Sequence, residues 1–471
     1  MNERTNTLVG IEDVGISLPS SFLPIETLAE ARDIPAQKLT KGLGLGQIAF
    51  CSDKEDIASL ISDALIDLVR SSEDESSDHQ SWFDQIDRIY LGTESAIDGS
   101  KPTISYAVDL VSKELGVNLE RIDFVDMTFA CIGGVDALQI CRDYVELNPD
   151  RKCIVVAGDI AKYDLNSGGE YTQGAGAIAL LISASPKMVA LDSTYGVSAV
   201  HEFDFYKPVR RFSKKDFVKD LSESLDLSET QRSKLGEIVR SSLGSAATSS
   251  VEGEINSIWE IPSDYIPVLR KEPTYDGRYS NQCYESRIHS ALQNFLAKSD
   301  GHSIEEFGAW LFHLPYSYQG RRTAVRYWYE EIVKRSDTLR QSLQDELSEL
   351  DVDQKENYSA WLKAVSKTKS YRAFVNQKIA PAEKMSSQIG NMYTASIFMG
   401  MLSHIAYSES PSKTEEQLLF LAYGSGSKAK VFSGAVNADF DRSSLKGRLE
   451  NRLQNRRELT FSEYESLHAQ S

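Results

Sequence analysis

The chain has few cysteines, and these lack the spacing of a disulfide framework or a metal site. Its five cysteines, at positions 51, 131, 141, 153 and 283, contain no Cys-x-x-Cys pair. This spacing argues against a disulfide-stapled fold. We therefore expect no metal ion and a reducing compartment, the cytoplasm.

Long apolar runs and an excess of positive charge are also missing. No stretch approaches the roughly 18 consecutive apolar residues of a membrane span. The opening Met-Asn-Glu-Arg-Thr-Asn lacks the apolar region of a signal peptide. The formal net charge of −18 opposes nonspecific binding to nucleic acid or anionic membranes. We expect a soluble cytoplasmic protein that binds neither, while a local basic pocket for a phosphorylated ligand remains compatible with this charge.

The composition does provide apolar material for a large core, since 41% of the 471 residues are hydrophobic. Over residues 1–208, strand patterns alternate with helix patterns, which predicts parallel strands with helices on both faces. The apolar run 153–157 is typical of a strand covered on both sides. The predicted strands are 8–17, 86–93, 122–125, 153–158 and 174–183, and the predicted helices are 56–70, 102–115 and one from 133 onward.

Two charged segments interrupt the α/β pattern. Residues 209–272 and 335–385 are predicted to be helical insertions, and Trp361 and Tyr371 are the expected anchors of the second. The other segments are 273–334 and 386–440, the start and end of a second α/β half, and 441–471, a charged tail predicted to be a solvated helix or partly disordered.

Cys131 stands between an apolar strand at 122–125 and an amphipathic run. A cysteine at a helix start lies near unpaired backbone N–H groups, which favour the thiolate that attacks acyl groups. Gly133 and Gly134 are expected to let the backbone approach a ligand closely. The alternative is that Cys131 is a packing residue, as a single cysteine on an apolar run often is.

Three further residues with reactive or polar side chains, Glu94, His313 and Asn391, stand where predicted strands end or helices begin. Open α/β sheets place their chemistry in such loops. Each residue also has a structural alternative: a solvated or capping carboxylate for Glu94, a core histidine for His313 and a helix cap for Asn391.

Several strings around these residues, in this order, resemble the 3-hydroxy-3-methylglutaryl-CoA synthase family of the thiolase superfamily. The resemblance runs from residue 8 to about 436, outside the insertions. It implies a duplicated βαβαβαβ core in five αβαβα layers and a homodimer. The matching strings are 92–95 (GTES), 130–134 (ACIGG), 156–161 (VAGDIA), 174–177 (GAGA), 203–208 (FDFYKP), 276–280 (DGRYS), 312–316 (FHLPY), 390–396 (GNMYTAS) and 423–426 (YGSG).

The resemblance implies a Claisen-like condensation of acetyl-CoA with acetoacetyl-CoA and no permanently bound cofactor. Cys131 would carry the acetyl group as a thioester. Glu94 would remove a methyl proton and later protonate the new alkoxide. His313 would hold the acceptor, Asn391 would orient His313 or a substrate carbonyl, and the backbone N–H groups of Cys131 and Ser425 would form the oxyanion hole.

Other family positions extend the predicted site. Asp159 and Asp204 are assigned to the substrate site, with positioning as their expected role. The substrate site is also predicted to include Tyr206 and Gly174, although close backbone packing explains Gly174 as well. Arg321, Arg322 and Lys207 are the candidates for contacts with a CoA or carrier phosphate.

Two positions depart from the family pattern: Ile132 stands where many members have Tyr, and Tyr318 stands where many have Lys. These departures keep other functions open. The same chemistry could act on an acceptor bound to an acyl-carrier protein, in β-branching of polyketides. A decarboxylating ketoacyl synthase would use Cys131, His313 and Asn391 without a base at Glu94. A non-enzymatic scaffold is the remaining alternative.

Overall fold

The structure, a computed structural model, describes residues 8–72, 78–235, 237, 264–299, 303–348, 357–409 and 415–470. It divides into two compact units. One consists of Met1–Phe205 with Tyr275–Ser471, and the other of Tyr206–Thr274.

Strands and helices alternate over much of the chain. The strands are β1 (Val9–Ser17), β2 (Ser21–Pro24), β3 (Gln47–Phe50), β4 (Ile86–Gly92), β5 (Asp123–Met127), β6 (Lys152–Ala161), β7 (Gly174–Ser183), β8 (Val189–Ala199), β9 (Phe205–Tyr206), β10 (Val209–Ser213), β11 (Tyr265–Leu269), β12 (Thr274–Tyr275), β13 (Ala309–Phe312), β14 (Glu416–Gly424), β15 (Lys428–Val436) and β16 (Arg457–Glu458). The helices are α1 (Ile25–Ala31), α2 (Ala36–Leu43), α3 (Ile57–Ser72), α4 (His79–Phe83), α5 (Thr103–Leu115), α6 (Gly133–Leu147), α7 (Lys214–Ser224), α8 (Gly277–Lys298), α9 (Gln319–Tyr327), α10 (Asp337–Leu347), α11 (Tyr358–Val365), α12 (Lys369–Lys378), α13 (Ala380–Ile389), α14 (Ser396–Tyr407), α15 (Arg442–Gln454) and α16 (Phe461–Gln470).

A nine-stranded mixed sheet dominates the larger unit, in the order β13-β14-β15-β8-β1-β7-β6-β4-β5. Strands β4, β5 and β6 run parallel, as do β13 and β14. Because side chains alternate between the faces of a strand, β6 serves two cores. Val155 and Ala157 enter the core around α6 and α14, whereas Ile154 and Val156 pack with α3 and α5.

The second half repeats this arrangement. On β14, Leu418 and Phe420 face the same central core, whereas Leu419 and Leu421 face a third core with α8 and α9. Helices α6 and α14 therefore lie between the two parts of the sheet, with further helices outside each part. This is the predicted five-layer αβαβα arrangement, and the predicted thiolase-like fold class is confirmed.

The two insertions differ in structure. The described part of the second insertion forms the helices α10, α11 and α12, and its predicted anchors Trp361 and Tyr371 are buried. In the smaller unit, helix α7 is accompanied by an antiparallel pair, β10 with β11, within 209–272. The prediction of a purely helical insertion therefore missed these strands; the remainder of that insertion lies largely outside the described residues. The predicted segment boundaries remain predictions.

The segment 441–471, predicted to be a solvated helix or partly disordered, is largely helical, but part of it is buried rather than solvated. Helices α15 and α16 occupy most of it, and Leu445, Leu449 and Tyr464 are buried. The short strand β16 also pairs with β2. The segment is mostly charged, so its composition did not reveal these few residues, which pack against residues far away in the sequence.

Membrane insertion through a helix has no support in the described part of the chain, since none of its helices is both long enough and apolar enough to span a bilayer.

Candidate active site

Cys131 lies in the tight connection between β5 and α6. It directly precedes Ile132, the N-cap of that helix, and is 7% exposed. The preceding Ala130 has a φ of 40°, in the left-handed region that non-glycine residues rarely adopt. The N–H groups of Ile132 and Gly133 donate to backbone carbonyls of the same turn, so the helix start offers the Cys131 sulfur the positive end of its dipole, which favours a thiolate.

Glu94 meets Cys131 directly. The Cys131 thiol donates to Glu94 Oε1, with 3.3 Å between Sγ and the oxygen. Glu94 follows β4 and is half-buried, so this pair joins the ends of neighbouring parallel strands. A carboxylate this close to the sulfur can reach the methyl group of an acyl chain carried on it.

Asp159 holds the loop that carries Glu94. Its Oδ1 accepts hydrogen bonds from the Thr93 hydroxyl (2.9 Å), the Glu94 N–H (2.8 Å) and the Ser95 hydroxyl (2.8 Å). Its Oδ2 accepts from the N–H (3.0 Å) and hydroxyl (2.5 Å) of Thr394. Because Asp159 is 0% exposed and receives five donors, its assignment to substrate contact is unsupported. The geometry favours the positioning role.

The glycines after Cys131 serve packing. A Cβ on Gly133 would lie 2.5 Å from the Met127 carbonyl oxygen, and one on Gly92 would lie 2.1 Å from the Gly134 nitrogen. These glycines bring the start of α6 against β4 and β5. Gly133 and Gly134 were expected to let the backbone approach a ligand. In the structure they let one backbone segment approach another.

Asn391 and Gly174 also have structural partners. Asn391 Oδ1 accepts from the Tyr393 N–H (2.8 Å) and the Ser396 hydroxyl (3.0 Å), so its side chain caps the turn leading into α14. A Cβ on Gly174 would lie 2.5 Å from the Ile389 carbonyl oxygen. Close packing therefore accounts for Gly174, and the structure does not favour its predicted substrate contact.

His313 follows β13 and is 2% exposed. Its N–H donates to the Leu421 carbonyl (3.1 Å), and its own carbonyl accepts from the Tyr284 hydroxyl (2.7 Å). Burial lowers the pKa of His313 to about 3, so the ring is neutral near pH 7. Nδ1 finds no hydrogen-bond partner among the described residues. A buried nitrogen of this kind is available to a substrate oxygen.

The turn after β14 carries Ser425, which is half-buried. A Cβ on Gly424 would lie 2.6 Å from the Phe129 carbonyl oxygen and 2.8 Å from the Ile132 side chain. This turn thus abuts the Cys131 loop. Ile132 is fully buried in that contact, and β13 pairs with β14, so His313 stands at the same end of the sheet.

Asp204 organises the Ser425 turn and is 0% exposed. Its Oδ1 accepts from the Gly426 N–H (2.8 Å), and its Oδ2 accepts from the hydroxyls of Tyr423 (2.8 Å) and Ser280 (3.2 Å). Like Asp159, it is engaged with the protein. Asp204 was assigned to the substrate site, and its contacts favour a positioning role: it holds the turn that carries Ser425.

Sequence reasoning missed Tyr163. This residue forms a buried cluster with Cys131, Ala161 and Tyr393. Burial raises the pKa of Tyr163, so its phenol stays protonated. The signal was available, because the matching string at the end of β6 stops two residues before Tyr163.

Arg321 is not a free phosphate ligand. Its Nε donates to Glu383 Oε1 at 2.9 Å, a second guanidinium nitrogen contacts the other oxygen, and the guanidinium lies 3.8 Å from the centroid of the Tyr318 ring. Arg322 donates to the Gly42 carbonyl (2.7 Å) and remains exposed.

Arg321 and Arg322 line a cavity of about 780 Å³ that contains four more basic side chains. Cys131, Glu94 and His313 do not line this cavity. The other four are Arg326, Lys363, Lys367 and Arg372.

Tyr206 and Lys207 belong to the smaller unit and remain predictions. Among the residues that the structure describes, no group of three or more His, Cys, Asp or Glu side chains is placed to hold a metal ion.

A thiol at a helix start, a carboxylate 3.3 Å from it and a duplicated five-layer core define a condensing acyltransferase of the thiolase-like class. Residues 5–187 match the N-terminal and residues 261–470 the C-terminal sequence model of hydroxymethylglutaryl-coenzyme A synthase. The chain belongs to the hydroxymethylglutaryl-CoA synthase family.

Individual relatives agree over nearly the whole chain. The hydroxymethylglutaryl-CoA synthase of Enterococcus faecalis is 25% identical, over 98% of this chain and 92% of its own length. The hydroxymethylglutaryl-CoA synthase of Schizosaccharomyces pombe is 28% identical, over 97% of this chain and 88% of its own length. The structure of MvaS in complex with 3-hydroxy-3-methylglutaryl coenzyme A is 25% identical, has a TM-score of 0.69, and matches 98% of this chain and 91% of that chain.

A further solved structure shares the fold at lower identity. The curacin biosynthetic pathway HMG synthase in complex with acetyl donor-ACP has a TM-score of 0.71 and 19% identity, over 98% of this chain and 88% of that chain.

Proposed function

We propose that the protein condenses acetyl-CoA with acetoacetyl-CoA and water to form 3-hydroxy-3-methylglutaryl-CoA and CoA. The observation that carries this proposal is the contact between Cys131 and Glu94, 3.3 Å apart at the start of α6. It supplies a nucleophile and a base to one small acyl group, in a chain of this family.

In the first step, the Cys131 thiol gives up its proton, its sulfur attacks the acetyl carbonyl of acetyl-CoA, and CoA leaves as its thiol with that proton. Glu94 then removes a proton from the acetyl methyl group. The resulting enolate attacks the ketone of acetoacetyl-CoA, and Glu94 returns the proton to the tertiary alkoxide. Water finally hydrolyses the thioester, which frees the product and regenerates the Cys131 thiol.

The other predicted residues fit supporting roles. A neutral His313 can donate one hydrogen bond to the acceptor carbonyl without introducing a charge into the buried site. The backbone N–H groups of Cys131 and Ser425 are proposed as the oxyanion hole, and the approach of Gly424 to Ile132 supports this. Asp159, Asp204 and Asn391 would hold the loops that carry these groups.

Acetylation of Cys131 tests the first step. Incubation with acetyl-CoA near pH 7 should add one acetyl mass to the tryptic peptide containing Cys131, measured by mass spectrometry. Cys131→Ala should give no adduct, and Cys283→Ala, which removes a thiol elsewhere, should be acetylated like the wild type. An unmodified Cys131 in the folded wild-type protein would contradict every thioester mechanism.

The acceptor is proposed to be the CoA thioester rather than a carrier-bound one. Relatives named hydroxymethylglutaryl-CoA synthase match nearly the whole chain, whereas the carrier-bound neighbour, at 19% identity, supports likeness of fold alone. A kcat/KM with acetoacetyl-carrier protein above that with acetoacetyl-CoA would reverse this choice. We place the reaction in isoprenoid synthesis by the mevalonate route.

The basic cavity beside α9 is proposed to receive the CoA phosphates. It combines six basic side chains with the Glu285 carboxylate, in a chain of net charge −18. Arg321 is already paired with Glu383, so the phosphate role passes to Arg322 and the basic groups across the cavity.

Lys367→Glu should raise the KM for acetoacetyl-CoA by about tenfold, because a charge-assisted phosphate contact contributes about 1.5–3 kcal/mol. The kcat should stay within about twofold, since Lys367 lies outside the thiol site. Steady-state kinetics measure this, with Lys113→Glu as a control on an exposed lysine of α5. An equal effect on acetoacetyl-pantetheine, which lacks these phosphates, would count against the assignment.

We further propose a cytoplasmic homodimer. None of the five cysteines, all of which the structure describes, forms a disulfide, and this suits a reducing compartment. Strand β5 forms one edge of the nine-stranded sheet and leads directly to Cys131. An edge strand offers backbone groups to a second copy of the chain, and this supports pairing through β5.

A further inference from the structure

The C-terminal helix α16 turns two polar side chains into the protein interior. Tyr464 and His468 are four residues apart and therefore share one face of the helix. Tyr464 is 0% exposed and His468 is 5% exposed. Buried polar groups require partners, and one of these partners, Tyr163, is clustered with Cys131.

His468 bonds to the backbone of Tyr163, 305 positions away in the sequence. Its Nε2 lies 2.9 Å from the Tyr163 carbonyl oxygen and 3.2 Å from Gln173 Oε1. Both partners are acceptors here, because Gln173 Oε1 already accepts from the Tyr163 N–H at 2.9 Å. The hydrogen therefore resides on Nε2, and both backbone groups of Tyr163 are held.

The second side chain completes this arrangement. Gln173 Nε2 donates to the Tyr464 hydroxyl (2.8 Å), which donates in turn to Glu170 Oε1 (3.1 Å). Arg32 bridges Glu170 (2.8 Å) and Glu465 of α16 (2.9 Å). The helix is thus fixed to the loop between β6 and β7 by hydrogen bonds and ion pairs.

Tyr163 occupies the wall of the thiol site. Its ring belongs to the buried cluster of Cys131, Ala161 and Tyr393, and packs edge-on against Tyr275 at 5.5 Å between centroids. A displaced backbone at Tyr163 would move this ring relative to the acyl group on Cys131. Small displacements near a reacting group are costly, about 100-fold in rate for 1 Å.

We infer that His468 is a positioning residue for the acyl site: through the backbone of Tyr163, the C-terminal helix sets one wall of the pocket around Cys131. This inference rests on the proposed function, because it assigns the consequence to the condensation step. The C-terminal segment 441–471, whose charged composition predicts a tail, would thus help to hold the active site in place.

His468→Leu removes the donor at similar volume and should lower the condensation kcat about tenfold. The kcat is divided by the concentration of Cys131 that acetyl-CoA acetylates, so that unfolded protein does not lower the measured value. KM should change by less than about twofold. His468→Gln, whose amide can donate in place of Nε2, should recover most of the rate.

His404→Leu is the matched control, because His404 is a buried histidine in the last turn of α14, bonded to Glu416 at 2.9 Å. It should lower the melting temperature and leave kcat per acetylated site unchanged. Tyr464→Phe, which keeps the ring but breaks the link to Glu170, gives a milder second test, about threefold in kcat.

A double-mutant cycle separates positioning from general stability. If His468 acts through the Tyr163 ring, His468→Leu should add little to the kcat loss of Tyr163→Ala, which removes that ring. Additive losses, or a wild-type kcat per site in both His468→Leu and Tyr464→Phe, would overturn the inference. Failure of the wild type to acetylate Cys131 would instead overturn the proposed function.

Discussion

Glu94→Ala should lower the rate of condensation by about 10⁴-fold, the upper end of general acid–base contributions. The expected loss is this large because Glu94 both removes the methyl proton and protonates the alkoxide. Acetylation of Cys131 precedes both transfers and should persist. Steady-state formation of the hydroxymethylglutaryl product and mass spectrometry of the Cys131 peptide measure the two steps separately.

Glu94→Gln sharpens this test because it keeps the size of the side chain and its reach to the sulfur, 3.3 Å in the wild type. It should be nearly as impaired as Glu94→Ala, since an amide neither accepts the methyl proton nor returns it. Condensation at the wild-type rate in both variants would reject the base. A malonyl thioester should then be tried as donor, because decarboxylation generates the carbanion without a base.

Local pattern predicted the elements that carry the chemistry. The strand expected at 174–183 is β7, and the strand and helix flanking Cys131 lie where the apolar spacing places them. Continuous apolar strands are recognised easily because burial on both faces leaves little choice of side chain. The contact of Glu94 with Cys131 depends on β4 and β5 being neighbouring parallel strands, and that neighbourhood was not predicted from the local pattern; the resemblance alone implied that the two residues meet.

Partners distant in the sequence could not be predicted in this way. Arg321 pairs with Glu383, 62 positions away, and no local signal distinguishes a paired arginine from a phosphate ligand. The same limit hid the packing of the C-terminal segment, where Tyr464 bonds to Glu170 across 294 positions. Composition describes the exposed side chains of such a helix, whereas a few buried ones decide its position.

Asp159→Asn is expected to have the second largest effect, a loss of about 100-fold in condensation rate. An amide has one oxygen where the carboxylate has two, so its NH₂ would face either the Glu94 loop or the N–H of Thr394. The donors on that side, 2.8–3.0 Å from Asp159 in the wild type, would lose their acceptor. Each buried unpaired donor costs about 1–3 kcal/mol, so the free energy of unfolding should also fall.

The kinetic and stability effects of Asp159→Asn can be separated. Asp67→Asn is the matched control, because Asp67 also accepts a backbone N–H (Ile16, 2.8 Å) and pairs with Arg448, but lies on α3. It should lower the unfolding free energy, measured by urea denaturation, without changing kcat per acetylatable Cys131. Because Asp159 bonds to the backbone of Glu94 and not to the sulfur, acetylation of Cys131 should be far less affected than condensation. Equal losses in both steps would mean that Asp159 supports the whole site rather than the placement of its base.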